Sequence, residues 1–339
     1  MERHGFVYMS AATTEAPRVQ LDPNDIIVFY TVTLPTAING VHPSLVFNLD
    51  EMGAEMFADR KNVFVFVLRR DVPRNQRLEV GVPRTTRRCT LIACISLDGT
   101  TVCPAIITKT MTISSVVLAE GGYMSNHLKL FHADNSFMNN EVFGEWLTDV
   151  FLPEVERRRA ELHATLGEFD DRAVLIMDGL KCHTMDPFMA MLESHRVTVA
   201  LLVSHSSHLT QPLDLGIFWR VKNLIRSDTK YVIDYNELDA AMAEQMEAEN
   251  TGAEIPPERG RLLAEYVLRI LRSFEQATTK GNVRSAFAQM GVCFNIVDPN
   301  NTDRRVSYVN PATARAIVAR FGVIPFPRSS GSTMTLPGS

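Results

Sequence analysis

Two short apolar runs in this 339-residue chain, Leu45-Val-Phe-Asn-Leu-Asp50 and Val174-Leu-Ile-Met-Asp178, each end in an aspartate. Continuous apolar stretches of that length, with branched and aromatic members, read as strands buried on both faces. Such strands need helices over both faces of their sheet, so the chain is constrained towards an α/β architecture. A third aspartate, Asp214, follows Pro212 within His205-Ser-Ser-His-Leu-Thr-Gln-Pro-Leu-Asp-Leu-Gly-Ile-Phe218. Proline suits the first turn of a helix. Asp214 therefore falls near the positive end of the helix dipole, where its ionised form is favoured. Between Asp178 and Asp214 lie 35 residues, room for a helix, a strand and a loop.

The rest of the chain fits this frame. Arg88 to Ser96 reads as a strand, Asp98-Gly99 as a hairpin turn, and Val102 to Thr108 as the strand that pairs back. Val63 to Leu68 also reads as a strand. From Asn139 to about Leu162 the apolar residues Val142, Phe143, Trp146, Leu147, Val150, Phe151 and Val155 recur every three or four positions, a helix that Pro153 should kink or break. A helix over Pro187 to Arg196, a strand over Val197 to Val203 and a helix from Pro212 follow. The predicted order is three strands, helix, strand, helix, strand, helix: an RNase H-like mixed sheet flanked by helices. The expected organisation is an N-terminal arm and lead-in over 1–43, the sheet domain over 44–230, a mainly helical C-terminal extension over 231–325, and a disordered tail over 326–339.

Composition excludes few classes. Hydrophobic content of 45% and charged content of 22% suit a soluble domain, and no apolar stretch approaches a membrane span. The cysteines are odd in number and form no CxxC pair, which reads as free thiols. A net charge of −5 argues against a surface coated in nucleic-acid-binding charge, but a basic footprint is a local matter. Two basic clusters stand out, Arg84-Thr-Thr-Arg87-Arg88 and Arg157-Arg-Arg159. The second reads as the end of a helix, where cations suit the negative dipole end.

Taken singly, Asp50 and Asp178 are ordinary carboxylates in turns after strands, and Asp214 complements a helix N-terminus. Together, carboxylates at two strand ends and one helix start are how a fold converges hard oxygen ligands on divalent metal. Competing chemistries are weaker. Cys182 with His183, His205 and His208 lacks the spaced ligand pairs of a zinc site. Ser206 and Ser207 lack a nucleophile elbow beside His208.

The segments Phe47-Asn-Leu-Asp-Glu51, Leu175-Ile-Met-Asp-Gly179 and His205 to Phe218 resemble the three signature blocks of the DDE superfamily endonuclease domain. The branch they look most like is that of pogo, Tigger and Jerky-like transposases, within the Tc1/mariner-type relatives. The resemblance spans roughly 44–230, with a weaker echo at Thr279 to Gly291. It implies a metal-dependent DNA endonuclease and strand transferase that works by two-metal in-line displacement. Asp50, Asp178 and Asp214 would be both the catalytic residues and the ligands of two Mg²⁺ or Mn²⁺ ions. Adjacent residues on a strand point to opposite faces, so Glu51 cannot share the site with Asp50 and is left a supporting role. Arg84, Arg87, Arg88, His205, His208 and Lys222 are the candidate DNA contacts, with His205 and His208 either contacting phosphate or ordering the loop. Trp146 and Trp219 read as packing residues.

The chain also departs from the family pattern. Met52 stands where relatives often carry Thr, and residues 1–43 are too few for the usual paired helix-turn-helix units. The expectation is therefore a catalytic domain alone, nuclear, on DNA and not on membranes. It would act as a homo-oligomer on DNA or with a partner that supplies sequence recognition. The alternative is a domesticated, catalytically idle DNA- or chromatin-associated factor. An RNase H-like nuclease of hybrids shares fold and metals, but the Gln-Pro-Leu-Asp block disfavours it.

Overall fold

A computed structural model describes residues 22–54, 89–124, 126–227 and 235–322. The run expected as a strand over Val63 to Leu68, the basic cluster Arg84 to Arg88, the N-terminal arm and the C-terminal tail lie outside the described residues.

The lead-in is helical, with α1 (Pro23–Val28) and α2 (Leu34–Ile38) joined through a π-helical turn at Phe29–Thr33. The sheet then forms from β1 (Val46–Gly53), β2 (Cys89–Ser96) and β3 (Ala105–Thr108), followed by α3 (Ser115–Glu120) and β4 (Lys129–His132). A long helical stretch, α4 (Asn140–Trp146) and α5 (Leu152–Leu166), leads to β5 (Ala173–Met177), α6 (Asp186–Ser194) and β6 (Val197–Leu201). The chain closes with α7 (Ser207–Thr210), α8 (Phe218–Ser227), α9 (Tyr235–Thr251), α10 (Pro257–Ala277), α11 (Lys280–Met290), the hairpin β7 (Val292–Ile296) and β8 (Arg305–Val309), and α12 (Pro311–Gly322).

Among the described residues, six strands form one mixed sheet in the order β4-β3-β2-β1-β5-β6. β2 pairs antiparallel with both β1 and β3, while β3–β4, β1–β5 and β5–β6 are parallel. Only β2 therefore runs against the rest. Without the edge strand β4, this is the RNase H-like succession expected from the sequence. β2, β3 and β5 are buried along their whole length, as strands covered on both faces must be. β4 was not anticipated: its residues are only partly buried, so its apolar signal is weak.

Two local expectations need correction. Pro153 does not break its helix: a π-helical turn at Leu147–Phe151 precedes it, and the helical stretch continues to Leu166. The wider turn accommodates the missing amide and the ring, which would clash in a regular α-helix. Arg157, Arg158 and Arg159 consequently lie inside α5 and not at its end. Arg158 and Arg159 are buried; Arg158 pairs with Glu154 at 2.7 Å and Arg159 with Glu156 at 2.6 Å. Both also donate to backbone carbonyls, Arg158 to Ser44 and Thr101, Arg159 to Asp171 and Arg196. They tie α5 to the sheet loops, so dipole complementation is not their role. The C-terminal part, expected to be mainly helical, carries four helices among the described residues and, between the last two, an antiparallel hairpin of β7 and β8.

The C-terminal helices share the sheet's core. Leu263, Val267, Leu271, Phe274, Val283 and Phe287 belong to the same buried cluster as Phe47, Leu91, Phe151 and Leu175. The two ends of the described chain also meet: Gly40 donates to Ser307, Ser307 donates to Val41, and the Tyr30 hydroxyl donates to the Met290 carbonyl at 2.8 Å.

Candidate functional site

The parallel register of β1 and β5 pairs Val46 with Val174, Phe47 with Leu175 and Asn48 with Ile176. Continued by two residues, it sets Asp50 beside Asp178. β5 ends at Met177, so Asp178 is the first residue past the strand. Asp50 is not at a strand end, as the sequence suggested. β1 runs on to Gly53 because β2 still pairs with it, with Asp50 opposite Ala93. Asp50 therefore lies where one neighbouring strand has stopped and the other has not.

Asp214 reaches this edge through a side-chain network that the sequence reading missed. Asn48 is fully buried and lies two residues before Asp50, on the same face of β1. Its Oδ1 accepts from the Leu213 amide at 3.1 Å, satisfying a donor in the first turn of the Asp214 segment. Its Nδ2 donates to the Ile176 carbonyl at 3.0 Å and to Gln211 Oε1 at 2.5 Å. Gln211 Nε2 completes the loop by donating to the Leu49 carbonyl at 3.2 Å. Asn48 and Gln211 thus pin the start of the helix to β1 and β5. Asp214 is exposed in the π-helical turn Leu213–Ile217 that follows Pro212. Behind that turn, Gly216 lets α11 approach: a Cβ there would stand 2.8 Å from the Ala286 Cβ. The two overlooked residues had a signal, an amide in an otherwise apolar strand and a glutamine directly before the proline.

Electrostatics tie the carboxylates together. Burial pushes the Asp50 carboxyl well above the usual carboxylate range, and the negative charges of Asp214, Glu51 and Asp178 push it further. One hydrogen bond opposes this, from the Glu51 amide to Asp50 Oδ1 at 2.8 Å. Among the described residues, no group of three or more His, Cys, Asp or Glu is arranged to hold a metal ion. As a donor set the trio suits a hard divalent cation: all the side-chain donors are carboxylate oxygens.

His183 is fully buried between Asp178 and Glu51. Its Nδ1 meets Asp178 Oδ1 at 3.0 Å and its Nε2 meets Glu51 Oε1 at 3.0 Å. Burial lowers the imidazole pKa, but the hydrogen bonds to Asp178 and Glu51 outweigh it and raise the value to about 10. Each ring nitrogen faces a carboxylate oxygen, so His183 holds the two acids and has no nitrogen left for a metal. Glu51 takes the supporting part its position on β1 implied.

His205 and Asp178 share a cleft of about 360 Å³, lined also by Leu180, Val203 and Ser204. His205 is exposed and adopts a left-handed backbone with φ of 63°, a conformation uncommon for a residue with a side chain. Ser206 spends its hydroxyl on the loop itself, donating to the Val203 carbonyl and meeting the Thr210 hydroxyl, each at 2.6 Å. His208 lies half-buried in α7, on the same loop. Lys222 is exposed on α8. Trp146 is buried as expected, but Trp219 is 50% exposed, with the Arg220 guanidinium 4.8 Å from its ring centre, so it is no packing residue.

A mixed sheet with one reversed strand, carrying acids from two adjacent strands and a following helix to one edge, defines an RNase H-like α/β domain with an acidic site. The chain belongs to the DDE superfamily endonuclease family, whose sequence profile matches residues 85–299, more than half of its length. Asp178 and Asp214 lie inside that match and Asp50 before it. Among solved structures, the chain is similar to the Mos1 strand transfer complex at 13% identity and a TM-score of 0.45, covering 95% of this chain and 68% of that one. It is similar to a pre-cleavage Mos1 transpososome at 12% and 0.41, with 82% and 69% covered. For the catalytic domain of Mos1 mariner transposase the values are 11% and 0.36, with 80% and 98% covered. No curated protein sequence matches the chain.

Proposed function

We propose that this endonuclease domain cuts and joins DNA phosphodiesters, with Asp50, Asp178 and Asp214 holding two Mg²⁺ or Mn²⁺ ions. The observation that carries the reading is the placement of Asp50 between Asp178, level with it across β1 and β5, and Asp214, on the helix that Asn48 pins to β1. Bound there, the ions would supply Lewis acidity to the attacking and leaving oxygens of one in-line displacement. The protein's own part is positional. Asn48 and Gln211 fix the Asp214 segment against the strands, and His183 holds Asp178. Water attacks one phosphodiester and frees a 3′-hydroxyl; that hydroxyl then attacks a phosphodiester of target DNA, and the displaced strand end leaves. Neither step needs a covalent protein intermediate.

In this reading His205, at the mouth of the Asp178 cleft, and Lys222, on α8, contact the DNA backbone with His208. Arg84, Arg87 and Arg88, outside the described residues, are further candidate contacts. Arginine and lysine at phosphates position a duplex without reading its sequence. In the same reading the chain acts in the nucleus, as a homo-oligomer on DNA or with a partner that supplies sequence recognition.

The test is nicking of supercoiled duplex DNA by the purified chain. Cleavage should require Mg²⁺ or Mn²⁺ and disappear in Asp178→Ala. Equal nicking by the variant, or nicking in chelator, overturns the assignment. Binding without any cleavage would instead favour an idle DNA-associated factor.

A further inference from the structure

We propose that Glu51 and His183 form a positioning pair for Asp178, fixing which of its carboxylate oxygens is left open for a divalent cation; this rests on the metal-site reading above. Two hydrogen bonds converge on one oxygen of Asp178. His183 Nδ1 stands 3.0 Å from Oδ1, and the Leu180 amide donates to the same atom at 3.3 Å. Both contacts load Oδ1, and neither of them engages Oδ2. Asp178 follows the end of β5, so the sheet ladder does not hold it; its rotamer depends on these side contacts.

The ring itself is locked from three sides. Nε2 is tied to Glu51 Oε1 at 3.0 Å, and Glu51 sits on β1, the neighbouring strand. The Phe143 ring lies against the imidazole, with centroids 4.6 Å apart. The His183 side chain is 1% exposed and that of Glu51 8%, so water does not compete for the bond between them. Glu51 and Asp50 are adjacent on β1 and point to opposite faces. One strand therefore offers Asp50 directly and, through Glu51 and His183, orients the acid beside it. Partners of this kind behind a ligand usually change metal affinity by about 10–100-fold when removed.

Two substitutions separate positioning from mere packing. In His183→Asn the amide nitrogen stands near the place of Nδ1 and can still donate to Asp178. In His183→Gln it stands near the place of Nε2 and can donate only to Glu51. Mn²⁺ binding is measured by titration calorimetry on the full chain, and each variant's melting temperature without metal reports its fold. His183→Asn should bind Mn²⁺ within about threefold of the parent, His183→Gln about 10–100-fold more weakly, and Glu51→Ala about tenfold more weakly. The nicking rate at saturating Mn²⁺ should change less than the Mn²⁺ concentration needed for half-maximal rate. Equal affinity in the Asn and Gln variants, with losses that follow their melting temperatures, overturns the positioning role alone. Unchanged affinity in Glu51→Ala removes Glu51 from the pair. An unsubstituted chain that binds no Mn²⁺ overturns the metal-site reading itself, and the pair with it.

Discussion

Asn48→Ala is the most direct probe of how the fold delivers Asp214. The side chain is fully buried and makes three hydrogen bonds: from the Leu213 amide, to the Ile176 carbonyl and to Gln211 Oε1. Alanine leaves the Leu213 amide and the Gln211 carboxamide short of partners in a site closed to water. At about 1–3 kcal/mol for each buried group left unsatisfied, the expected loss is roughly 3–5 kcal/mol, a large fraction of a typical domain's stability. Equilibrium unfolding in urea without metal measures it as a fall in midpoint at constant slope. Asn48→Asp refines the test. It keeps an acceptor for Leu213, removes both donors, and adds a negative charge two residues from Asp50, whose carboxyl is already raised by burial and by its acidic neighbours. It should destabilise at neutral pH at least as much as alanine and recover partly on acidification. A loss below about 1 kcal/mol for Asn48→Ala would refute the argument, because a side chain that truly closes three buried bonds cannot be that cheap to remove.

Other perturbations reach different parts of the molecule. Mg²⁺ or Mn²⁺ at millimolar levels should raise the melting temperature, since a cation relieves carboxylate repulsion and binds only the folded state; an equal rise in Asp178→Asn would contradict the site. Gly216→Ala should cost about 1–3 kcal/mol, because its Cβ would stand 2.8 Å from the Ala286 Cβ, and Ala286→Gly should restore part of the loss, measured in the same urea titration. Glu154 has its carboxyl pKa lowered: burial raises it, but hydrogen bonds from Arg157 and Arg158 outweigh burial. A depressed folded value stabilises above the ordinary glutamate value of 4.5 and is lost as pH falls below it, so Glu154→Gln should flatten the acid limb of the stability profile between pH 4.5 and lower values. DNA binding by the isolated chain should be weak, indifferent to sequence and steeply salt-dependent, as counterion release requires; binding curves on unrelated duplexes at two salt concentrations decide, and one preferred sequence with little salt effect would contradict it.

The central sheet was legible because its strands are short, apolar and bounded by turns. Asp178 and Asp214 could be placed from the end of one such run and from Pro212. Asp50 was found, but its place inside β1 was not, because strand length depends on the neighbour that β2 provides. β4 escaped notice because an edge strand with a wet face carries little apolar signal, and β7 with β8 because their residues are mostly half-exposed. Arg158 and Arg159 read as a helix end on composition alone; their burial is set by the carbonyls of distant loops. His183 was weighed in the sequence only as a weak zinc ligand beside Cys182, His205 and His208. Its meaning comes from two acids, one five residues away and one on another strand, and no local pattern records the second.

The approach of Gly216 to Ala286 has a consequence for the order in which the protein is made. The two residues are about seventy positions apart, and Ala286 lies on a helix synthesised after every acid of the site. At a ribosomal rate of about 5–20 residues per second, roughly 4–14 s pass between the appearance of one and the other. Until then the segment bearing Asp214 can be pinned to β1 through Asn48 but lacks α11 behind it. A nascent chain thus carries all three aspartates well before α11 exists to pack behind the last of them.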